Sequence, residues 1–132
     1  MLSFALIVFA FFQLGFAVDK KEIMASCMQQ YSVGEEVFKN FLQNGEVPDE
    51  SNKNQKCLFL CVISKLGMSD ESGNMDMPKV KEMMVAKYDK MTPENVIALV
   101  EKCAVRSEAD PCDKIYQFHK CHMKPYLEVV NG

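Results

Sequence analysis

Six cysteines and two histidines are the residues of this chain whose chemistry depends most on what they meet. His119 and His122 flank Cys121, and a His-x-Cys-His run has the donor types of a zinc site. No fourth ligand stands nearby in sequence, and Cys121 is better used in a disulfide, so no metal is expected. The plainer reading is two partly solvated histidines. The functional alternative is protonation in mild acid that loosens the C-terminal tail. The run from Asp70 to Asp76 imitates a calcium loop, yet its glycine stands at loop position four instead of six. Lys81 occupies position twelve, where a bidentate glutamate belongs. That segment reads as a turn followed by a helix cap.

Catalytic arrangements are missing. There is no Gly-x-Ser-x-Gly, no His-Glu-x-x-His and no glycine-rich phosphate loop. Nor does an adjacent Cys-Cys precede a His-Asp, as a helical secreted phospholipase would require. Neither an enzyme nor a cofactor is expected. The 132 residues carry a net charge of −3 with no run of five like charges, and the acidic balance argues against nucleic acid or an anionic membrane surface as partner.

Residues 1–17 contain no charged side chain and hold five of the nine phenylalanines. A short apolar run ending in Gly15 and Ala17 reads as a secretory signal peptide cut after Ala17. It is near the lower limit for spanning a bilayer. The remaining residues, 18–132, form one domain that matures in an oxidising compartment, where cysteines pair. No Asn-x-Ser/Thr acceptor is present, and no other apolar run is long enough for stable membrane insertion. The product is expected to be secreted.

The elements that must position the cysteines are helices. Asp19 can cap a first helix with Met24, Cys27, Met28 and Tyr31 at i, i+3, i+4, i+7. Gly34 breaks it, and a second segment carries Val37, Phe38, Phe41 and Leu42 as far as Asn44-Gly45. Pro48-Asp49 is expected to open the third helix. Its run from Cys57 to Ile63 is apolar nearly all round and so belongs in the centre of the domain, stopping at Gly67. Asp76 with Pro78, Thr92-Pro93 and Asp110-Pro111 are three further N-cap signals. Pro125 is expected to end the last helix, leaving a short tail as a lid or wall. The fold class is all-α, about six helices in one domain.

Helix geometry restricts the pairing of the cysteines. Cys57 and Cys61 are i, i+4 on one helix, with Cβ atoms about 5–6 Å apart, where a disulfide needs roughly 3.5–4.5 Å. Cys112 and Cys121 are separated by roughly 13.5 Å along the axis of a continuous last helix. Several pairings stay open, but the central helix must be tied to two different neighbours. One reason for so many bridges in a chain of this length is an interior that side chains do not completely fill.

The cysteine intervals, C-x29-C-x3-C-x41-C-x8-C-x8-C from Cys27, closely resemble the six-cysteine signature of insect odorant-binding proteins of the pheromone- and general-odorant-binding type. The text from Cys61 to Gly67, followed by Gly73, Met75, Asp76 and Pro78, resembles the family too. The resemblance implies helices around an internal apolar cavity, with bridges Cys27–Cys61, Cys57–Cys112 and Cys103–Cys121. It further implies that Ile63, Met68, Met75, Met84, Tyr88, Ile115 and Phe118 face the ligand. Several of the ten methionines crowd into the second half of the chain, where flexible thioethers suit a pocket that fits more than one shape. Tyr126 could hold its hydroxyl over the cavity mouth.

The function expected from the resemblance is a secreted carrier moving small hydrophobic odorants or pheromones through sensillar lymph or another body fluid. A chemoreceptor would be a further partner, and the oligomeric state a monomer or weak homodimer. The alternatives are a carrier of the same fold outside olfaction, and a secreted disulfide-rich interaction or toxin-like protein with a filled core.

Overall fold

Polar caps start four of the six helices where the sequence places them. The computed structural model describes residues 19–132; the expected signal peptide, residues 1–17, lies outside the described residues. The described chain forms α1 (Lys20–Tyr31), α2 (Glu35–Asn44), α3 (Lys53–Lys65), α4 (Met77–Lys87), α5 (Pro93–Cys103) and α6 (Pro111–Asn131). The side chains of Asp19, Asp76, Thr92 and Asp110 each accept a hydrogen bond from a backbone N–H of the first turn. Each such cap satisfies one donor that the helix leaves without a partner. Among the described residues there is no strand, only an isolated bridge between Ser69 and Met75.

Two boundaries differ from the sequence expectation. The third helix does not open at Pro48-Asp49. Asn52 caps it instead, taking the N–H groups of Asn54 and Gln55, while Asp49 is occupied in a turn with Ser51. Nor does Pro125 end the last helix, so there is no free tail. α6 runs on to Asn131 with Pro125 inside it. A proline there removes the hydrogen bond to the carbonyl four residues back and crowds it, at about 3 kcal/mol. Tertiary contacts offset that cost. Cys121 is bonded to Cys103 just before the proline, and Tyr126 and Leu127 pack against the core just after it.

The core forms around α3. Cys57 to Cys61 and Ile63 are all buried, so this helix has neighbours on every side: α6 and α1 pack directly against it. Phe59 sits at the middle of an aromatic cluster, its ring centroid 4.6 Å from Phe41 and 5.5 Å from Tyr116. Tyr116 is fully buried, and its hydroxyl donates to Glu50 Oε2 at 2.8 Å while accepting from the Val47 N–H at 3.1 Å. The α2–α3 connection is thereby tied to α6. At its start Gly45 has φ of +76°, and a Cβ there would stand 2.7 Å from Lys124 Cγ, so the turn lies close against α6.

The three bridges join Cys27 to Cys61, Cys57 to Cys112 and Cys103 to Cys121, the pairing that the resemblance implies. They link α1 to α3, α3 to α6 and α5 to α6, and no cysteine is left free. Cys57 and Cys61 do reach two different elements. α1 departs from its expected stripe: Ile23 and Cys27 are the buried positions, while Met24, Met28 and Tyr31 are half-buried.

Candidate functional site

Where α1, α2, α3, α4 and α6 converge, they leave a cavity of about 230 Å³. Each helix contributes side chains at helical spacing. α3 presents Phe59, Val62 and Ile63, with Leu66 at its end. α4 presents Met83, Met84 and Lys87, followed by Tyr88 at its C-terminus. From α6 come His119, His122 and Met123; from α2, Phe38, Phe41 and Leu42; from α1, Met24. Leu42 is 54% exposed and Lys87 is exposed as well, which puts both on the rim.

Carbon and sulfur make up most of this wall, and its polar atoms are few. Tyr88 Oη lies 2.6 Å from His122 Nδ1, and His122 Nε2 lies 3.1 Å from His119 Nδ1. His122 is 1% exposed and, the tyrosines and cysteines aside, is the single buried polar side chain among the described residues. Desolvation, aided by the charge of Lys87, pushes the His119 pKa down to about 3. Desolvation also holds the His122 pKa well below the ordinary imidazole value, with His119 and Lys87 adding to the effect. Both rings are therefore neutral at pH 7. The same loss of water raises the Tyr88 hydroxyl, which stays protonated. Lys87 has its pKa lowered by desolvation first and by Lys20 second, and it has no ion-pair partner among the described residues.

Of the side chains expected to face a ligand, Ile63, Met84 and Tyr88 line this cavity. Ile115 and Phe118 do not: both are 0% exposed and packed into the core, on the neighbouring stripe of α6. Met68 lines a separate surface groove with Lys79 and Glu82, and Met75 packs half-buried against the core. Tyr126 is spent elsewhere. Its ring stacks on Tyr88 and its hydroxyl donates to Asp89 at 3.2 Å.

Also lining the cavity, and not assigned to the ligand from the sequence, are Phe38, Phe41 and Phe59 of α2 and α3, the two histidines, and apolar side chains such as Met24, Val62 and Leu66. A signal for the histidines was present: His119 and His122 are i, i+3, on one face with Met123 and directly adjoining the stripe that takes Ile115 and Phe118 into the core. The reading of both as partly solvated is corrected for His122, which is sealed from water. Among the described residues no cluster of His, Cys, Asp or Glu could hold a metal ion, and no helix is long and apolar enough to cross a membrane.

Similarity to known proteins agrees with this architecture. The chain is 32% identical over 69 residues to general odorant-binding protein 19d of Drosophila melanogaster, covering 50% of this chain and 46% of that protein. It is 29% identical over 96 residues to odorant-binding protein 10 of Aedes aegypti, covering 73% of this chain and 65% of that one. General odorant-binding protein 57e of Drosophila melanogaster is 27% identical over 95 residues, covering 72% of this chain and 67% of that protein. The chain thus spans less than two thirds of the length of the first two. No solved structure matches it. The model of the PBP/GOBP family covers residues 12–125, which takes in the first five helices, most of α6 and all three bridges, and the chain belongs to that family.

Proposed function

We propose that this protein is a secreted carrier that holds one small apolar ligand in the cavity between α1, α2, α3, α4 and α6. The single observation that carries the reading is the cavity itself, an apolar hollow of about 230 Å³ in a domain otherwise packed around α3. A protein with a filled core would have no such space. At about 30 Å³ per water-sized group, the volume accommodates a guest of roughly eight such groups. Burying its hydrocarbon at about 25 cal/mol per Å² gives the driving force. Affinity near micromolar, about −8 kcal/mol, stays below the ceiling of about −1.5 kcal/mol per atom for ligands of that size.

The names of the relatives, odorant-binding proteins, support a volatile odorant or pheromone as cargo and an aqueous lymph as the medium. The apolar run of residues 1–17 supports export with cleavage after Ala17, and the three bridges suit the oxidising route. Nothing in the wall suggests catalysis. The test is displacement of a fluorescent apolar probe by small apolar volatiles. A carrier gives a fluorescence gain on probe binding and its loss on displacement; no gain with any probe overturns the reading.

A further inference from the structure

Tyr88, His122 and His119 form one continuous hydrogen-bonded chain along the cavity wall, through contacts of 2.6 Å and 3.1 Å. One nitrogen is left over. His119 Nε2 has no protein partner among the described residues, although none of their buried polar atoms lacks one. That nitrogen therefore keeps accessible surface. His119 is half-buried and lines the cavity, so this surface is taken as part of the cavity wall.

A neutral imidazole has one N–H and one bare nitrogen, and a tyrosine hydroxyl can donate and accept. Two arrangements then satisfy both hydrogen bonds. In the first, Tyr88 O–H donates to His122 Nδ1, His122 Nε2–H donates to His119 Nδ1, and His119 Nε2 carries a proton toward the cavity. In the second, His119 Nδ1–H donates to His122 Nε2, His122 Nδ1–H donates to Tyr88 Oη, and the hydroxyl turns to Met123 Sδ, 3.9 Å away. His119 Nε2 is then a bare acceptor. Three protons are held in each arrangement and the net charge is the same. Passing from the first to the second moves one proton along each hydrogen bond and returns one from His119 Nε2 to Tyr88 Oη through water.

We propose that the Tyr88–His122–His119 chain is an adaptable polar end for the apolar cavity, selecting ligands that carry one hydrogen-bonding group and taking either an acceptor or a donor. The inference rests on the cavity being the ligand site. It accounts for a buried polar group amid carbon walls: an entirely apolar guest would leave His119 Nε2 without a partner, which disfavours it. The depressed basicity of both histidines supports the arrangement, since a doubly protonated ring has no acceptor to offer.

Three bicyclic probes of nearly equal size separate the outcomes: indane with no polar group, 1-indanone with an acceptor only, and indole with a donor only. The disulfide-bonded chain should bind 1-indanone and indole about three- to tenfold more tightly than indane. In spectra of imidazole-15N-labelled protein, His119 Nε2 should be protonated with 1-indanone and bare with indole. His119→Phe should level the three affinities while indane still binds. Equal affinities in the unmodified protein, the same protonated nitrogen of His119 in both complexes, or a preference that survives in His119→Phe would each overturn the polar end while leaving the carrier standing. Failure of all three probes to bind would overturn both.

Discussion

Tyr88 and Tyr126 stack face to face, their ring centroids 4.0 Å apart and their planes 12° from parallel. One ring ends α4 and lines the cavity; the other belongs to the turns of α6 beyond Pro125. The stack thus holds the end of α6 in place and backs the cavity wall at once. Tyr126→Ala should cost about 1 kcal/mol. It should speed amide hydrogen exchange over residues 127–131 more than elsewhere in α6. Unchanged exchange there would mean that Leu127 alone secures the segment.

Acid should destabilise the fold through its histidines. Their pKa values are depressed in the folded protein, to about 3 for His119 and well below the ordinary value for His122. The unfolded chain protonates them near pH 6.5, so below that pH it binds protons that the folded chain does not. The stability is present in full above pH 6.5 and falls as the pH drops toward the folded pKa values. By pH 5 the loss should be about 2 kcal/mol for His119, with a further loss of the same sign from His122. Urea unfolding at pH 7 and pH 5 measures it, and His119→Phe should remove part of the slope.

Removal of the bridges should follow the lengths of chain they close. Cys57–Cys112 spans 55 residues and Cys103–Cys121 spans 18. Loop-closure entropy assigns them about 4 and about 3 kcal/mol. The double serine variant of the first pair should therefore have the lower denaturant midpoint. The reverse order would show that anchoring α6 just before Pro125 matters more than loop length.

Filling the cavity should separate binding from folding. Ile63 is 2% exposed and projects from α3 into the wall. Ile63→Phe places the added ring atoms in existing space, so the stability change should stay within about 1.5 kcal/mol. Probe affinity should drop at least tenfold. Retained affinity would locate the probe elsewhere, with the surface groove beside Met68 as the next site to test.

Much of the architecture could be read from residues near one another in the chain. Asp19, Asp76, Thr92 and Asp110 start helices because each side chain meets a backbone N–H two or three residues on, a purely local bond. The run from Cys57 to Ile63 has no polar face, so its central position follows without knowledge of its neighbours. Spacing alone excluded two cysteine pairs; the full connectivity came from resemblance to a family, and the three bridges have it.

The site depended on distances that no local rule supplies. Ile115 and Phe118 are the more apolar residues of α6, and hydrophobic burial draws them to the core; the turn left for the cavity carries His119 and His122. A helix rotates by about 100° per residue, so a shift of one position moves a side chain from cavity to core. Pro125 carries a local signal to stop, overruled by contacts from α4 and α5 that are distant in sequence. Chain-local chemistry determined which helices form and what could crosslink them. Packing among those helices decided where space remained and which polar atoms faced it, because that outcome depends on the positions of all five at once.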